Sequence, residues 1–405
     1  MSTKSLLYHG FGLGTIEPMK TTYKSGIITF HVRRPLDRLC CPCCHSPDVI
    51  RRGTTQRELH HIPIGLKPVK LMVSLQRLMC RDCKQLRYEK LPFMLPHKRY
   101  TRRFADYVIA LSKLMTVKDV AQSLGVSWGL VRSIQETHLH QSLKKRPLKH
   151  LRHLAIDELA IGKGHKYVSV VLDLESGAAV YVGEGKGAEA VAPFLARLKR
   201  MGAKIEAVAM DMASSYHLAV SDNFPKAAKV LDRFHVVKLM NEKLTKLRRD
   251  LYNEATHALG KHVLKGSRWL LLKRPENLSE KRQERQRLED ALELNKPLAT
   301  AYYLKEDLRQ FWEQESLADA KAFLGKWIAT ALASGIAVMK TMAKTLRSYR
   351  NQLFAWYEHP ISTGPLEGFN NKAQTMKRQA YGYRNIDFYK LKLLTLHQKK
   401  YALVG

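Results

Sequence analysis

Two pairs of cysteines and three carboxylates are the residues whose types and spacing could do chemistry. Cys41-Pro-Cys43-Cys44 and Cys80-Arg-Asp-Cys83 form two C-x-x-C pairs with 35 residues between them. Two such turns can present four thiolates to one tetrahedral zinc ion. All six cysteines lie between residues 40 and 83, and clustered paired cysteines point to metal rather than to disulfides. Cys40 and Cys43 share the same spacing, so two registers are open; the Cys-Pro-x-Cys form favours Cys41 and Cys44. One structural Zn²⁺ bound by Cys41, Cys44, Cys80 and Cys83 is expected.

The carboxylates pose a different question. Asp157 sits between Ile156 and Leu159 in "HLAIDEL", and Asp211 closes the apolar run "AVAM". A charge inside an apolar strand is costly unless it is paired or holds metal. Glu367 stands in "STGPLEGFNNKAQTMKRQAYGYRN", a stretch rich in cations, with Pro365 near the start of its helix, where the missing N–H costs little. Asn370, Asn371 and Gln374 follow at helical offsets on the face of Glu367, with Lys372, Lys377 and Arg378 nearby. Glu158 adjoins Asp157, and strand alternation turns it to the opposite face. Tyr381 and Tyr383 are expected to pack.

These residues need elements to position them. "GIITFHV" and the alternating Val69, Leu71, Val73 and Leu75 read as strands of a small cysteine-clamped module. Residues 101–140 change to helical periodicity. Within "VKDVAQSLGVSWGLVRSIQ", Ala121 allows close helix crossing, Gly125 supplies a turn, and Val126, Val131 and Ile134 anchor the pair, as in a helix-turn-helix. Its second helix would offer Ser127, Trp128, Arg132 and Gln135 to DNA, flanked by Arg102–Arg103 and Lys144–Arg146; an ordinary helical hairpin is the competing reading. Three strands, then alternating helix and strand through "IEAVAMDM" and "KVLDRFHV", give an α/β segment. Residues 241–358 are rich in helix formers and read as all-helical.

The 69 Lys+Arg against 36 Asp+Glu leave a formal charge of +33. Such a field attracts nucleic acid. The first residues lack a long apolar segment and no internal run is long enough to span a bilayer, so a cytoplasmic, nucleoid-associated protein without a membrane partner is expected. "GKGHKY" lacks a Walker spacing, and no nucleotide cofactor is expected.

Two strand-borne aspartates and a helix-borne glutamate in a basic chain resemble the acid triad of the RNase H-like nucleotidyl-transfer fold. With the Cys-Pro-x-Cys and Cys-x-x-Cys pairs, "AIDE", "AMDM", "DRFH" and "GPLEGFNNKAQTMKRQAYGYRN", the chain resembles bacterial insertion-sequence DDE transposases of the ISL-three family over nearly its whole length. The resemblance implies a multidomain α/β protein: a zinc-ribbon-like module (1–95), a helix-turn-helix (96–148), and an RNase H-like catalytic core (149–240 and 359–405) interrupted by an all-α insertion (241–358). It implies that Asp157, Asp211 and Glu367 hold two Mg²⁺ or Mn²⁺, with Asp157 contacting both, and that Asn371, Lys372, Lys377 and Arg378 meet DNA. It places Asp232 and His235 near the active site, with His235 either a substrate contact or a packed histidine. The implied partners are double-stranded DNA, as terminal inverted repeats and target, and further copies of the chain in a homodimer or higher oligomer. A DNA-binding regulator with an inactive core and a nuclease without strand transfer are the other two readings.

Overall fold

The computed structural model describes residues 3–144, 147–162, 164 and 166–396. Lys145 and Arg146, part of the expected basic flank, lie outside them, as do Lys163 and His165 of "GKGHKY". The chain divides into two compact units, one of residues 3–144 with 373–392 and one of 147–372 with 393–396. Among the described residues no helix is long and apolar enough to cross a membrane.

In the first unit, strands β1 (Glu17–Lys24), β2 (Ile27–Arg33), β3 (Val49–Ile64), β4 (Lys67–Cys80) and β5 (Leu86–Tyr88) form a sheet ordered β1-β2-β4-β3, with β5 also paired to β4. Alternation along β4 buries Val69, Leu71, Val73 and Leu75 against Phe30, Val32 and Leu59. The cysteine pairs sit where β3 begins and β4 ends: Val49 and Cys80 are cross-strand neighbours. Three helices follow, α1 (Arg102–Leu111), α2 (Val117–Leu124) and α3 (Trp128–Lys144). Thr116 and Asp119 close a capping box at the start of α2, satisfying backbone donors at both positions. Gly125 ends α2 with φ 62°, a left-handed conformation that glycine adopts without a Cβ penalty. Val108, Val120, Val131 and Ile134 form the core of this helical group, joined by Phe388.

The second unit is built on a five-stranded sheet. Its strands are β6 (His153–Ala160), β7 (Tyr167–Asp173), β8 (Ala179–Glu184), β9 (Ala207–Met210) and β10 (Ala228–Leu231), in the order β10-β9-β6-β7-β8. The first three strands in sequence pair antiparallel, while β9 and β10 run parallel to β6. Helices α4 (Ala188–Arg200) and α5 (Ser214–Asn223) pack on one face through Val191, Leu195, Tyr216 and Val220. The strand expected across "KVLDRFHV" stops at Leu231, and Asp232 becomes the N-cap position of helix α6 (Arg233–Glu254).

Next come α7 (Ala258–Gly266), α8 (Glu284–Glu293), α9 (Lys296–Arg309), α10 (Leu317–Ala333), α11 (Ala337–Ser348) and α12 (Arg350–Glu358). They enclose a core of Leu298, Leu308, Phe311, Leu324, Trp327, Met339, Met342 and Leu346. Val236, Met240 and Leu244 of α6 belong to the same core, so the boundary expected at 240/241 falls inside one continuous helix whose apolar stripe cannot be divided there. Helices α13 (Gly364–Gln379) and α14 (Ile386–Leu394) complete the described chain. Residues 373–392 group with the N-terminal unit, which differs from the expected assignment of all of 359–405 to the α/β segment; Phe388 in the helical core of that unit is the physical reason.

Candidate functional site

Strand register brings the two aspartates together. Ala155 of β6 pairs with Ala209 of β9 in parallel, so two positions further on Asp157, within β6, and Asp211, just past the end of β9, stand level. Neighbouring strands are about 4.8 Å apart. In open α/β sheets the carboxyl ends of parallel strands are where ligands sit. Burial raises the Asp157 pKa, and Asp211 adds to this, while the Glu158 backbone N–H, His235 and Asn370 oppose it. Asn370 Nδ2 donates to Asp157 Oδ2 at 3.0 Å across 213 residues of sequence. The loop after Asp211 is pinned by the Ala213 N–H, which donates to Asp211 Oδ1 at 2.8 Å, and by the Tyr349 hydroxyl, which donates to the Met212 carbonyl at 2.7 Å.

Helix α13 carries Glu367 in its first turn, three residues before Asn370. Leu366 and Phe369 are buried, which leaves Glu367 exposed beside them and Asn370 half-buried. A carboxylate in the first turn is favoured by the helix dipole. The three acids do not form a tight ligand cluster: among the described residues the cysteine quartet is the one group of three or more potential metal ligands drawn together. Asp232 and His235 lie beside this site, Asp232 at the end of β10 next to Met210, whose carbonyl accepts its N–H at 3.1 Å.

Glu158 obeys alternation, pairing across the sheet with Ser169, whose hydroxyl is 2.8 Å from that of Tyr216. Its carboxyl is nevertheless raised in pKa, first by burial and then by Asp211, with Lys186 opposing. Facing away therefore did not remove it from the field of the aspartates. Successive residues of one strand are only about 3.3 Å apart along it, so turning to the other face leaves Glu158 near both aspartates.

The cysteine site is more compact. Sγ atoms of Cys41, Cys44, Cys80 and Cys83 all lie within 4.8 Å of one another, with 3.5 Å between Cys41 and Cys83 and between Cys44 and Cys80. Four thiolates at 2.3 Å from one tetrahedral zinc would be about 3.8 Å apart. Cys40 and Cys43 stay outside the quartet. N–H groups of Cys44 and Cys43 pull the Cys41 thiol down to about 6, toward the ligating thiolate, while Cys44 and Cys83 are raised, against the N–H groups of Ser46 and Gln85, by burial and the neighbouring thiols.

On α3, Ser127 and Trp128 are exposed and the Ser127 hydroxyl accepts the Leu130 N–H. Arg132 donates to Glu136 at 2.8 Å and its guanidinium lies 5.5 Å from the Trp128 ring. Gln135 does not fit the expected base-reading role. It is 2% exposed and donates to the Ser112 hydroxyl at 2.6 Å, because it shares the stripe of Val131, Ile134 and Leu139. On α13, Asn371, Lys372 and Arg378 are exposed and Lys377 half-buried. Tyr383 packs against Tyr389 as expected, but Tyr381 is fully exposed, with φ 53°.

A family model described as "Transposase" matches residues 154–393, and one described as the helix-turn-helix domain of transposase family ISL3 matches residues 89–139. The chain belongs to the ISL3 family of insertion-sequence transposases. Like the chain itself, the relatives are transposases: it is 31% identical over 95% of both chains to that of insertion sequence element IS1001 from Bordetella parapertussis. It is 27% identical over 91% of its length, and 88% of the relative's, to that of IS1557 from Mycobacterium tuberculosis. Among solved structures, the Drosophila P element transposase strand transfer complex matches 65% of the ISL3-family chain and 81% of its own at 12% identity; its TM-score of 0.34 is too low to bear on the fold. The ISL3 match spans both aspartates, Glu367 and Asn370.

Proposed function

We propose that this chain binds the ends of its insertion sequence and cuts and joins DNA there by a two-metal DDE mechanism. The reading is carried by one observation: Asp157 and Asp211 stand level on adjacent parallel strands, with Asn370, one turn beyond Glu367, bonded to Asp157. Three antiparallel strands followed by two parallel ones are the arrangement of an RNase H-like core, and the helical segment between α6 and α13 is its insertion.

The donor set fits hard cations such as Mg²⁺ or Mn²⁺, which prefer carboxylate and carbonyl oxygen. Asn370 Oδ1, buried and without a hydrogen-bond partner among the described residues, adds a further oxygen of that kind beside Asp157. Two such ions supply nucleophile activation and charge neutralisation at the phosphorus. Asp157 and Asp211 would hold them from the sheet and Glu367 from the helix. The Asn370 amide fixes the orientation of the Asp157 carboxylate, and His235 adds a nearby group that favours its charged form. One zinc on the cysteine quartet would tie the ends of β3 and β4 together. Ser127, Trp128 and Arg132 on α3, and Asn371, Lys372, Lys377 and Arg378 on α13, supply hydroxyl, aromatic, amide and cationic groups for DNA.

The test is a cleavage and strand-transfer assay with Mn²⁺ on a duplex carrying the element's own end. Wild type should cut and join; Glu367→Gln and Asp157→Asn should bind the duplex with unchanged affinity and do neither. Equal activity of wild type and both variants would move the chemistry elsewhere. Cutting without joining would favour a nuclease.

A further inference from the structure

Asp232 is 2% exposed and occupies the N-cap position of α6, yet its side chain makes no bond to that helix. An aspartate at this position ordinarily accepts an N–H from the first turn of its own helix. Here Oδ1 instead accepts the N–H of Thr363 at 3.0 Å, across 131 residues of sequence. Thr363 is itself buried and begins α13: its carbonyl accepts the N–H groups of Leu366 at 2.8 Å and of Glu367 at 3.1 Å. One residue, Thr363, therefore links the Asp232 carboxylate to the backbone of Glu367. On its other side, the Asp232 N–H donates to the carbonyl of Met210, the residue before Asp211. Leu231 pairs in parallel with Met210, so Asp232 stands level with Asp211 as Asp211 stands with Asp157.

The geometry points to Asp232 as a positioning residue that fixes the Glu367 helix against the strand ends bearing Asp157 and Asp211. This rests on the proposed metal-dependent reading for its purpose, though not for its geometry. The bond is charge-assisted and shielded from water, conditions under which it is strong and directional. The role assigned is that of Oδ1, which accepts a backbone N–H; Oδ2 is buried and has no hydrogen-bond partner among the described residues. A neutral amide oxygen at the same place would serve as acceptor, whereas a truncated side chain would not.

The experiment compares full-length wild type, Asp232→Ala and Asp232→Asn in three readouts. Hydrogen–deuterium exchange of peptides covering residues 361–370, without metal or DNA, reports the anchor itself. Titration with Mn²⁺ reports ion affinity, and end-duplex cleavage against Mn²⁺ concentration separates half-saturation from maximal rate. Asp232→Ala should exchange these amides about tenfold faster, the scale of one lost charge-assisted hydrogen bond. It should also need several-fold more Mn²⁺ for half-saturation while binding the duplex normally. Asp232→Asn should match wild type in all three. Wild-type exchange and Mn²⁺ affinity in Asp232→Ala would overturn the proposal. So would slow exchange with lost Mn²⁺ affinity in Asp232→Asn, which would make the charge itself the functional element. If Asp232→Ala does not fold, Asp232→Leu, which keeps the volume and also lacks the acceptor, takes its place with the same expected and overturning results. A wild type that cleaves nothing would count against the proposed function, while the exchange measurement would still judge the anchor.

Discussion

Replacing Gln135 tests whether α3 reads bases with this residue or is held in place by it. Its Nε2 donates to Ser112 Oγ at 2.6 Å, and both residues are buried. Its Oε1 is buried with no hydrogen-bond partner among the described residues. Truncation in Gln135→Ala removes one neutral hydrogen bond, worth about 1 kcal/mol, and leaves Ser112 Oγ without its donor, a penalty of ~1–3 kcal/mol. It also removes the unpartnered Oε1, which offsets part of that penalty. A net loss of about 2 kcal/mol is expected, a large share of the stability of a small helical unit. Gln135→Met keeps the volume and should cost about 1 kcal/mol, and pairing it with Ser112→Ala should bring the loss close to zero, since removing both partners leaves nothing unsatisfied. Urea unfolding of the four proteins, alongside binding to specific and scrambled duplexes, gives both quantities. Stability should move as stated while the ratio of specific to scrambled affinity stays put. Unchanged stability with a relaxed ratio in Gln135→Met would refute the burial reasoning and restore the base-reading role.

Zinc content should be one ion per chain in wild type and in Cys43→Ser, and near zero in Cys44→Ser and Cys80→Ser, by elemental analysis of purified protein. Burial holds His61 down to about 4 from an ordinary 6.5, so its unfolded form takes up protons first as pH falls. The stability this reflects is complete above the unfolded value and is lost through the window from 6.5 to 4. Between pH 7 and 5.5 wild type should lose about 1 kcal/mol more than His61→Phe in paired urea titrations. Tyr349→Phe should cost about 1 kcal/mol by removing the donor to the Met212 carbonyl, read as a lower urea midpoint.

Much of this was legible because charge in an apolar strand is conspicuous. Asp157 and Asp211 announced themselves that way, and the C-x-x-C spacing and Gly125 each encode a local geometry. Gln135 was misread although its offset of four from Val131 places it on the buried stripe; polarity was weighed above helical phase. Tyr381 went the other way, an aromatic left outside because its positive φ turns the chain just after α13. The Asp232–Thr363 bond was out of reach, since no local pattern pairs residues 131 apart. Likewise nothing near Phe388 in sequence says that it completes a core begun at Phe104.

The level alignment of Asp157, Asp211 and Asp232 makes chain length, more than residue identity, the quantity these strands cannot vary. A one-residue slip turns every side chain of a strand to the opposite face. A single deletion in 153–157, 207–211 or 228–232 would therefore displace an acid that no substitution elsewhere could restore. Gains and losses of residues are better tolerated in exposed connections, so a scan of single-codon deletions would trace the three strands as narrow gaps in a more permissive map.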